Sequence, residues 1–523
     1  MKEQNLITST LILTATSFLT RTIGMISSVF LSQMLGAEGI GIYELLMTIY
    51  MTAVVFSSAG LCVSVSRLVA EALGKNQSGN ITQIMRVAFS FGFVMSILVS
   101  ILLFISAPLL VNYLIHDSSA IFGLRFLTLS IPFMTCSSCF KGYFYATKKA
   151  AYPASADILE QIIKVGLLIV LVNLYAPKGP AYAYSMIGIG FTVGEIVSWS
   201  YLLSLFILDR RHIKKHTPPT HSMRHVFIKL LTILLPIASI SYIGYLFLSI
   251  ENILIPAGLK KYSGTFSSSI GTLGILKGMV FPILFFPSAF LTAFSTTLIP
   301  EIAKANVLKH KKRVAYTTNK VLQLTFILSI LVVAIFISYG NELGFIIYKT
   351  EEVGPLLCAL SLVVPFIYTE VISDGILKGL NEQVSCLKYS MLDSITRVIL
   401  IYFFLPIKGI RALITIIMMS CILTSTLNFN KLIEVTQIKM RPINWLLKPA
   451  IAAAFSGSYS RLIINKLFRY SLGLSSKVFL GIGLTILLYI PLLFLIHTLG
   501  QEDILWLKKH LSHPKLQKYT SKT

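Results

Sequence analysis

The sequence predicts an all-α, polytopic membrane protein with about 14 transmembrane helices, arranged as two six-helix lobes around a central cavity plus two C-terminal helices. The 523 residues are 55% hydrophobic and only 13% charged, with a mean hydropathy of +0.78, far more apolar than a typical soluble domain. Charge-free segments long enough for a helix of roughly 20 residues to cross a bilayer recur along the chain. They are 87–115, 230–250, 278–300, 321–340, 412–430 and 478–500. The sequence has no strand-like alternation, which argues against a barrel.

Apolar runs separated by short connections place the helices along the chain. The first run is interrupted by Arg21 and has no convincing cleavage site, so we expect a retained helix rather than a signal peptide. The predicted helices are 6–32, 40–65, 84–110, 119–145, 153–174, 181–207, 227–255, 268–299, 315–339, 353–379, 385–406, 410–433, 444–465 and 477–499.

Basic residues predict the orientation of these helices. Of the 45 Lys and Arg residues, 30 fall on the side of the predicted membrane that holds both termini, 11 fall on the other side, and the remaining four lie within helices. Because Lys and Arg collect on the cytoplasmic side of membrane proteins, we expect a multi-pass protein of the bacterial cell membrane with both termini in the cytoplasm.

The longest basic connection, residues 209–225, reads DRRHIKKHTPPTHSMRH. Pro218 and Pro219 break any helix there, so this stretch predicts a linker between two parts of the chain. Its four histidines suggest a metal site as one alternative, but no carboxylate or cysteine is interleaved with them. We therefore predict a basic linker against anionic lipid headgroups and no metal. The histidines are His212, His216, His221 and His225.

An internal repeat supports that division. Arg67-Leu-Val-Ala-Glu71 recurs as Thr297-Leu-Ile-Pro-Glu301 at an offset of 230 residues. Pro132-Phe133, Gly142 and Lys164-Val165 recur as Pro365-Phe366, Gly375 and Arg397-Val398, all at an offset of 233. Six helices per copy give both copies one membrane orientation, as in transporters with parallel repeats. The predicted organisation is an N-lobe at 1–208, the linker at 209–226, a C-lobe at 227–434, and two helices with a basic tail at 435–523.

Charged residues inside apolar segments predict the functional site. Arg21 lies within the first apolar run, where a guanidinium costs about 2.5–3.5 kcal/mol unless it faces a polar cavity. The alternatives are that Arg21 extends to the membrane surface or pairs with an acid. Beyond it, residues 36–41 contain three glycines and predict a polar turn between two helices. We therefore expect Arg21 on the inner face of the first two helices.

The other charges within predicted helices include two pairs spaced four residues apart. Glu160 with Lys164 and Asp393 with Arg397 can each pair along a helix, and both structural pairing and cavity lining stay open for them. Lys277 has no acid one helical turn away, which favours a ligand role for it. The predicted cavity cations are Arg21, Lys164, Lys277 and Arg397, and the predicted cavity or coupling acids are Glu44, Glu160 and Glu251.

Several functional classes lack their motifs. The chain has no P-loop, no Gly-x-Ser-x-Gly and no metal-binding motif, so we expect no enzyme activity and no cofactor. The net charge of +24 would suggest nucleic acid in a soluble protein. Here the basic residues collect on one side of the predicted membrane, so we expect no nucleic-acid partner. Six cysteines are scattered, and Cys136-x-x-Cys139 is interpreted as helix packing.

Five segments carry a family resemblance: LTRTIG at 19–24, GAEGIGIY at 36–43, SRLVAEA at 66–72, LEQIIKV at 159–165 and GEIVS at 194–198. They resemble the stage V sporulation protein B family, in the polysaccharide-flippase branch of the multidrug/oligosaccharidyl-lipid/polysaccharide exporter superfamily. The resemblance extends over essentially the whole chain. It implies translocation of an undecaprenyl-diphosphate-linked cell-wall precursor by alternating access, with lipid II for spore-cortex peptidoglycan as the expected substrate.

The resemblance also bears on the site. It implies basic cavity residues on the first, second and eighth helices, and Arg21 matches the first of these while Lys277 corresponds to the eighth-helix cation. Relatives often carry a second basic residue seven positions after the first, where this chain has Ser28. The expected partners are the lipid-linked saccharide and membrane lipids, with cell-wall synthesis enzymes also considered, and we expect a monomer.

Three alternatives remain at the level of sequence. The chain could export another lipid-linked polysaccharide repeat unit. It could be a multidrug–cation antiporter of the same superfamily, but such a cavity should be dominated by acids. It could also be a scaffold that recruits cell-wall enzymes, for which buried charges would be dispensable.

Overall fold

The computed structural model describes residues 4–75, 77–211, 222–467, 473–500 and 503. In this part of the chain every regular element is helical. The α-helices are α1 (Gln4–Ser58), α2 (Leu61–Gly74), α3 (Ser78–Leu110), α4 (Ala120–Thr128), α5 (Ile131–Ala146), α6 (Ala151–Tyr175), α7 (Pro180–Arg211), α8 (Met223–Ser263), α9 (Phe266–Leu273), α10 (Phe281–Phe285), α11 (Ser288–Val307), α12 (Lys311–Tyr348), α13 (Val353–Ser361), α14 (Val364–Gly379), α15 (Gln383–Lys408), α16 (Ile410–Thr436), α17 (Lys448–Leu467) and α18 (Leu474–Leu495).

Short segments of other helix types join several of these helices. Three π-helical segments are Val111–Ile115, Gly274–Val280 and Ile443–Leu447, and Ala176–Lys178 is a 3₁₀-helix. Within the described residues, 11 helices are long and apolar enough to cross a membrane, or 12 if the bent pair α13–α14 forms one span. One candidate span, Ala15–Gly74, has 60 residues, about three times the length that one crossing requires. The prediction of an all-α polytopic membrane protein is confirmed.

The internal repeat is visible in the backbone. α4 and α13 have 9 residues each, α5 and α14 have 16 each, and both pairs are separated by two residues, with the same offset of 233. A proline occupies the first turn of α5 and of α14, where its missing N–H costs no helical hydrogen bond. Segments 119–145 and 353–379 were each expected as one helix, and the structure breaks both near this proline. The second break bends the chain by 59°.

Left-handed residues follow the same offset. His116 and Lys349 end corresponding helices at φ 56° and 59°, and Lys148 and Asn381 adopt φ 59° and 68°. Non-glycine residues rarely adopt this backbone region. These four residues do so at positions related by the offset of 233, which supports the repeat inferred from the sequence.

Contacts divide the chain into two compact units. The first unit comprises Met1–Thr297 and Met391–Ile417, and the second comprises Leu298–Ser390 and Met418–Thr523. The predicted boundaries of the two lobes and the C-terminal pair stay predictions. The predicted linker is described only at its ends, and His212, His216 and His221 lie outside the described residues.

The first unit has an apolar core built by α2, α3, α5, α7 and α8. Leu61, Val65, Phe144, Leu202 and Leu230 are each at most 1% exposed there. By contrast, α3 leaves large apolar side chains such as those of Leu102 and Ile105 exposed. An apolar outer surface on a helix of this length is typical of contact with lipid.

The glycines of residues 36–41 serve two purposes in the first unit. These residues were expected to form a polar turn between two helices, and the structure has a kink there, confined to Gly36, which leaves helical geometry at φ 69°. The helix continues through Gly41, where a Cβ would lie 2.1 Å from the carbonyl oxygen of Ile270. A Cβ on Gly274 would likewise lie 2.1 Å from the carbonyl oxygen of Ala37. The glycines therefore allow α1 to approach residues 270–278, as small residues do between membrane helices.

In the second unit, α12 packs against α13, α14, α17 and α18. Tyr339 on α12 shares a hydrogen bond of 2.9 Å with Ser460, which in turn shares one of 2.7 Å with Thr485. Arg461 also pairs with Glu342 at 2.9 Å. Polar side chains thus connect the two C-terminal helices to α12 inside an apolar environment.

Candidate functional site

The first unit buries a cluster of charged and polar side chains drawn from four parts of the chain. We call it the central polar cluster and define it as Thr48, Glu251, Asn252, Lys277, Asp393 and Arg397. Thr48 comes from α1, Glu251 and Asn252 from α8, Lys277 from the π-helical segment, and the last two from α15. The four charges are two acids and two bases, so the cluster is neutral when all are ionised.

Glu251 is the centre of this cluster. Its Oε1 lies 3.1 Å from Nζ of Lys277, and its Oε2 lies 3.1 Å from Nε of Arg397. The Arg397 contact is an ion pair without hydrogen-bond alignment, since its Nε has no acceptor in suitable geometry. Arg397 also lies 3.4 Å from Asp393. Glu251 is 8% exposed, Lys277 12% and Arg397 27%, so only the guanidinium is substantially accessible.

Asn252 extends the network to α1. Lys277 donates a hydrogen bond to Oδ1 of Asn252, and Nδ2 of Asn252 donates one of 2.8 Å to Thr48. Sequence reasoning missed both Asn252 and Thr48, because it looked only for charges within apolar segments. The adjacency of Asn252 to Glu251 was the available signal.

The backbone around Lys277 places its side chain in the cluster. Lys277 lies in the π-helical segment Gly274–Val280, and such wide turns often occur at functional sites. Ser28 donates a hydrogen bond of 2.7 Å to the carbonyl oxygen of Gly278. The position where relatives often carry a base therefore holds a hydroxyl that binds the backbone beside Lys277.

Glu44 lies near this cluster. A Cβ built on Gly278 would be 3.8 Å from Oε1 of Glu44, and Glu44 interacts electrostatically with Lys277. The structure thus brings together four of the seven predicted site residues: Glu44, Glu251, Lys277 and Arg397. The absence of an acid one turn from Lys277 in sequence did not leave it unpaired, because its partner comes from α8.

Arg21 forms no ion pair or hydrogen bond with the central polar cluster. Its side chain is exposed, and among the described residues it forms no ion pair or hydrogen bond. Its predicted role in a cavity stays a prediction.

Glu160 and Lys164 belong to a second cluster of the first unit, formed by α5, α6 and α7. Lys164 lies 3.6 Å from Glu160 and 4.5 Å from the ring centroid of Phe191. Lys141 lies 2.6 Å from Asp157, and Glu195 is buried beside these groups. We call Lys141, Asp157, Glu160, Lys164 and Glu195 the α5–α7 cluster. The site residues predicted from the sequence included neither Lys141 nor Glu195.

The second unit contains a polar cavity of about 450 Å³ lined by side chains of α14, α15 and α16. Asp374 pairs with Lys378 at 2.6 Å on its wall, and Thr424 donates a hydrogen bond of 3.1 Å to Glu370.

No described group of three or more His, Cys, Asp or Glu side chains is placed to hold a metal ion.

The central polar cluster can exchange partners rather than perform covalent chemistry. One carboxylate is shared by two cations, and an anionic ligand can replace it on either of them. A phosphate suits this exchange, since a guanidinium grips two phosphate oxygens and an ammonium supplies a point charge.

The chain is similar to known proteins of one family. The family model described as "Polysaccharide biosynthesis protein" matches residues 6–306. Stage V sporulation protein B of Bacillus subtilis (strain 168) is 24% identical over 455 residues, which cover 86% of this chain and 88% of the relative. Lipid II flippase MurJ of the same organism is 21% identical over 403 residues, 73% of this chain and 74% of the relative.

A solved structure shows the same fold. "Lipid II flippase MurJ, inward closed conformation" aligns with a TM-score of 0.70 at 15% identity, covering 93% of this chain and 98% of that one. The resemblance read from the sequence motifs is therefore confirmed. The similarity is to transporters rather than enzymes, and it agrees with the many apolar helices of a multi-pass membrane protein.

Proposed function

Since this chain belongs to the polysaccharide biosynthesis protein family, we propose that it is a flippase that translocates an undecaprenyl-diphosphate-linked saccharide across the cytoplasmic membrane. The substrate we propose is lipid II, the peptidoglycan precursor, used for the spore cortex. The names of two relatives, a sporulation protein and a lipid II flippase, support this choice.

The single observation that carries the proposal is the sharing of Glu251 by Lys277 and Arg397 at 3.1 Å each. Asp393 supplies the second negative charge, so one carboxylate is shared by two cations within a neutral cluster, and Arg397 keeps 27% of its side chain accessible. A diphosphate carries enough negative charge to bind both cations. Exchange of Glu251 for the diphosphate would keep both cations paired with an anion while the substrate is bound.

The cluster would act in two states. In the empty state, Glu251 and Asp393 neutralise Lys277 and Arg397, and Asn252 connects Lys277 to α1. In the loaded state, the phosphates take the cations and Glu251 is released. Because Glu251 lies on α8 and Arg397 on α15, that exchange would loosen the contact between these helices and favour the movement that alternating access requires.

Arg21 has a separate place in this proposal. Its exposed guanidinium forms no ion pair or hydrogen bond within the described residues, so it can contact an anionic headgroup without first leaving an acid. We propose that Arg21 makes an early contact with the phosphates and that Lys277 and Arg397 bind them afterwards. We also propose that both termini face the cytoplasm, as the 30 to 11 distribution of basic residues predicts.

Purified protein in lipid vesicles tests the function. Vesicles receive one of three polyprenyl lipids on one leaflet: a diphosphate saccharide, a monophosphate saccharide or a neutral saccharide. A membrane-impermeant enzyme then reports the fraction that reaches the other leaflet. We expect translocation of the diphosphate saccharide and much slower movement of the neutral lipid. Equal rates for all three, or no translocation above empty vesicles, would contradict the proposal.

A further inference from the structure

The α5–α7 cluster contains one more acid than it has bases. Asp157 and Glu160 each have a lysine, Lys141 at 2.6 Å and Lys164 at 3.6 Å. Glu195 is the fifth member and has no such partner. Its residue is 7% exposed, and in the described part of the chain its carboxylate forms no hydrogen bond or ion pair.

The packing of α7 against α6 fixes Glu195 beside this network. At the preceding residue, Gly194, a Cβ would lie 3.1 Å from Cβ of Lys164 and 3.3 Å from the carbonyl oxygen of Glu160. The two helices are therefore in close contact one residue before Glu195. Glu195 interacts electrostatically with Glu160, Lys141, Lys164 and Asp157.

The remaining groups around Glu195 do not neutralise it. From α1, the hydroxyl of Tyr50 shares a hydrogen bond with Ser130 at 2.7 Å. From α4, the one charged side chain is Arg125, whose guanidinium lies 5.0 Å from the ring of Phe104 and 5.9 Å from that of Phe122. The lysines from α5 and α6 each already pair with another acid. An ionised Glu195 would leave the cluster with an uncompensated negative charge in a buried, membrane-embedded position, which is strongly unfavourable.

We infer that Glu195 is a proton-binding site. It holds a proton in the resting protein and releases that proton when the α5–α7 cluster rearranges. A proton neutralises the carboxylate without a coordination shell. A metal cation would need several oxygen ligands, and two of the three acids here are held by ammonium groups. In protonation, the carboxylate oxygen forms an O–H bond and the group loses its negative charge.

The site also suggests what drives transport, a step that rests on the proposed flippase function. If Lys164 turns from Glu160 toward Glu195 during the transport cycle, its positive charge favours the ionised carboxylate, and the proton on Glu195 is released to water. Uptake of that proton from water on one side of the membrane and its release on the other would carry one proton across with each cycle, so that a pH gradient drives translocation.

Infrared spectroscopy of the full-length protein in lipid vesicles tests the proton site without any transported lipid. The carbonyl stretch of a protonated carboxylic acid is distinct from the bands of a carboxylate. In difference spectra of wild type minus Glu195→Gln, which cancel the ester carbonyls of the lipid, we expect a carboxylic acid component that the variant lacks and that the wild type loses as the pH rises. Glu434→Gln is the matched control, because Glu434 is 69% exposed and pairs with Lys431 at 3.1 Å, and it should keep the band.

Two further variants test the proton site even if Glu195→Gln does not fold. Glu195→Asp should retain a carboxylic acid band. Lys164→Met removes a nearby positive charge, which should shift loss of the band to higher pH because ionisation of Glu195 becomes less favourable. An unchanged band in Glu195→Gln, or a wild type without the band, would overturn the proton site. Loss of the band on replacing choline with sodium at constant pH would also overturn it, in favour of a metal cation.

Coupling is measured separately in vesicles with an imposed pH gradient. The gradient should accelerate wild-type translocation and should have no effect on Glu195→Gln. An equal response of both proteins would overturn the coupling while leaving the flippase function intact. A band in the infrared experiment without any translocation would instead contradict the flippase proposal and leave the proton site standing.

Discussion

Nζ of Lys277 lies 3.1 Å from Oε1 of Glu251, across 26 residues of sequence. This ion pair joins α8 to the π-helical segment at a position that is almost fully buried, where Glu251 is 8% exposed. The same carboxylate reaches Arg397, so the stability of the first unit and its proposed capacity for anions depend on one side chain.

Glu251→Gln should therefore destabilise the protein. Removing one partner of a buried ion pair leaves the other charge uncompensated and costs about 3–5 kcal/mol. Thermal unfolding of the detergent-purified protein should show a clearly lower midpoint for Glu251→Gln. The double variant Glu251→Gln/Lys277→Met should unfold at a higher temperature than Glu251→Gln alone, because it removes the unpaired ammonium. Equal midpoints for wild type and Glu251→Gln would show that the pair contributes no stability.

The sequence predicted which charged residues belong to this cluster better than it predicted which of them are in contact. Glu251, Lys277 and Arg397 were identified because charges stand out in apolar segments. Their mutual contacts were not, since those contacts join residues 26 and 146 positions apart and depend on how α8 and α15 pack. The short-range pairs Glu160–Lys164 and Asp393–Arg397 were predictable, because four residues form about one helical turn. Asn252 carries no charge and gave no comparable signal.

Glycine packing between α1 and the segment carrying Lys277 gives a second prediction. Gly274→Ala would place a Cβ 2.1 Å from the backbone carbonyl oxygen of Ala37. A backbone atom cannot move aside cheaply, so we expect a loss of about 1–3 kcal/mol in the free energy of unfolding. Gly244→Ala is the control, since nothing lies within 4 Å of its Cβ, and it should stabilise α8 by roughly 0.5–1 kcal/mol.

Denaturant unfolding of the two glycine variants in one detergent measures this difference. If Gly274→Ala were as stable as Gly244→Ala, α1 could not approach residues 270–278 as closely as described. The sequence predicted a polar turn at residues 36–41 from their glycine content, and Gly36 breaks the helix there. The sequence could not show that Gly41 instead allows a close helix contact, because glycine serves both purposes and only the neighbouring segment decides between them.

The proposed topology gives a third prediction. Reporter fusions after Lys215 and after Lys312 should show cytoplasmic activity, and a fusion after Lys261 should show activity on the outer side. The reason is the distribution of 30 against 11 basic residues between the two sides. An outer-side signal at Lys215 or Lys312 would contradict the predicted orientation and the even number of crossings in each repeat. Full-length fusion protein detected by blotting is the control for each signal.

Translocation per molecule by variants of the proposed phosphate ligands tests the central claim most directly. The assay uses vesicles containing the polyprenyl-diphosphate saccharide, with the amount of inserted protein measured in the same sample. Arg21→Ala and Lys277→Ala should each lose translocation per molecule. Arg21→Lys should recover only part of it, because an ammonium cannot grip a phosphate in bidentate fashion. Glu434→Gln should match the wild type. Normal translocation per molecule by both Arg21→Ala and Lys277→Ala would contradict the account, whatever the amount of protein in the membrane.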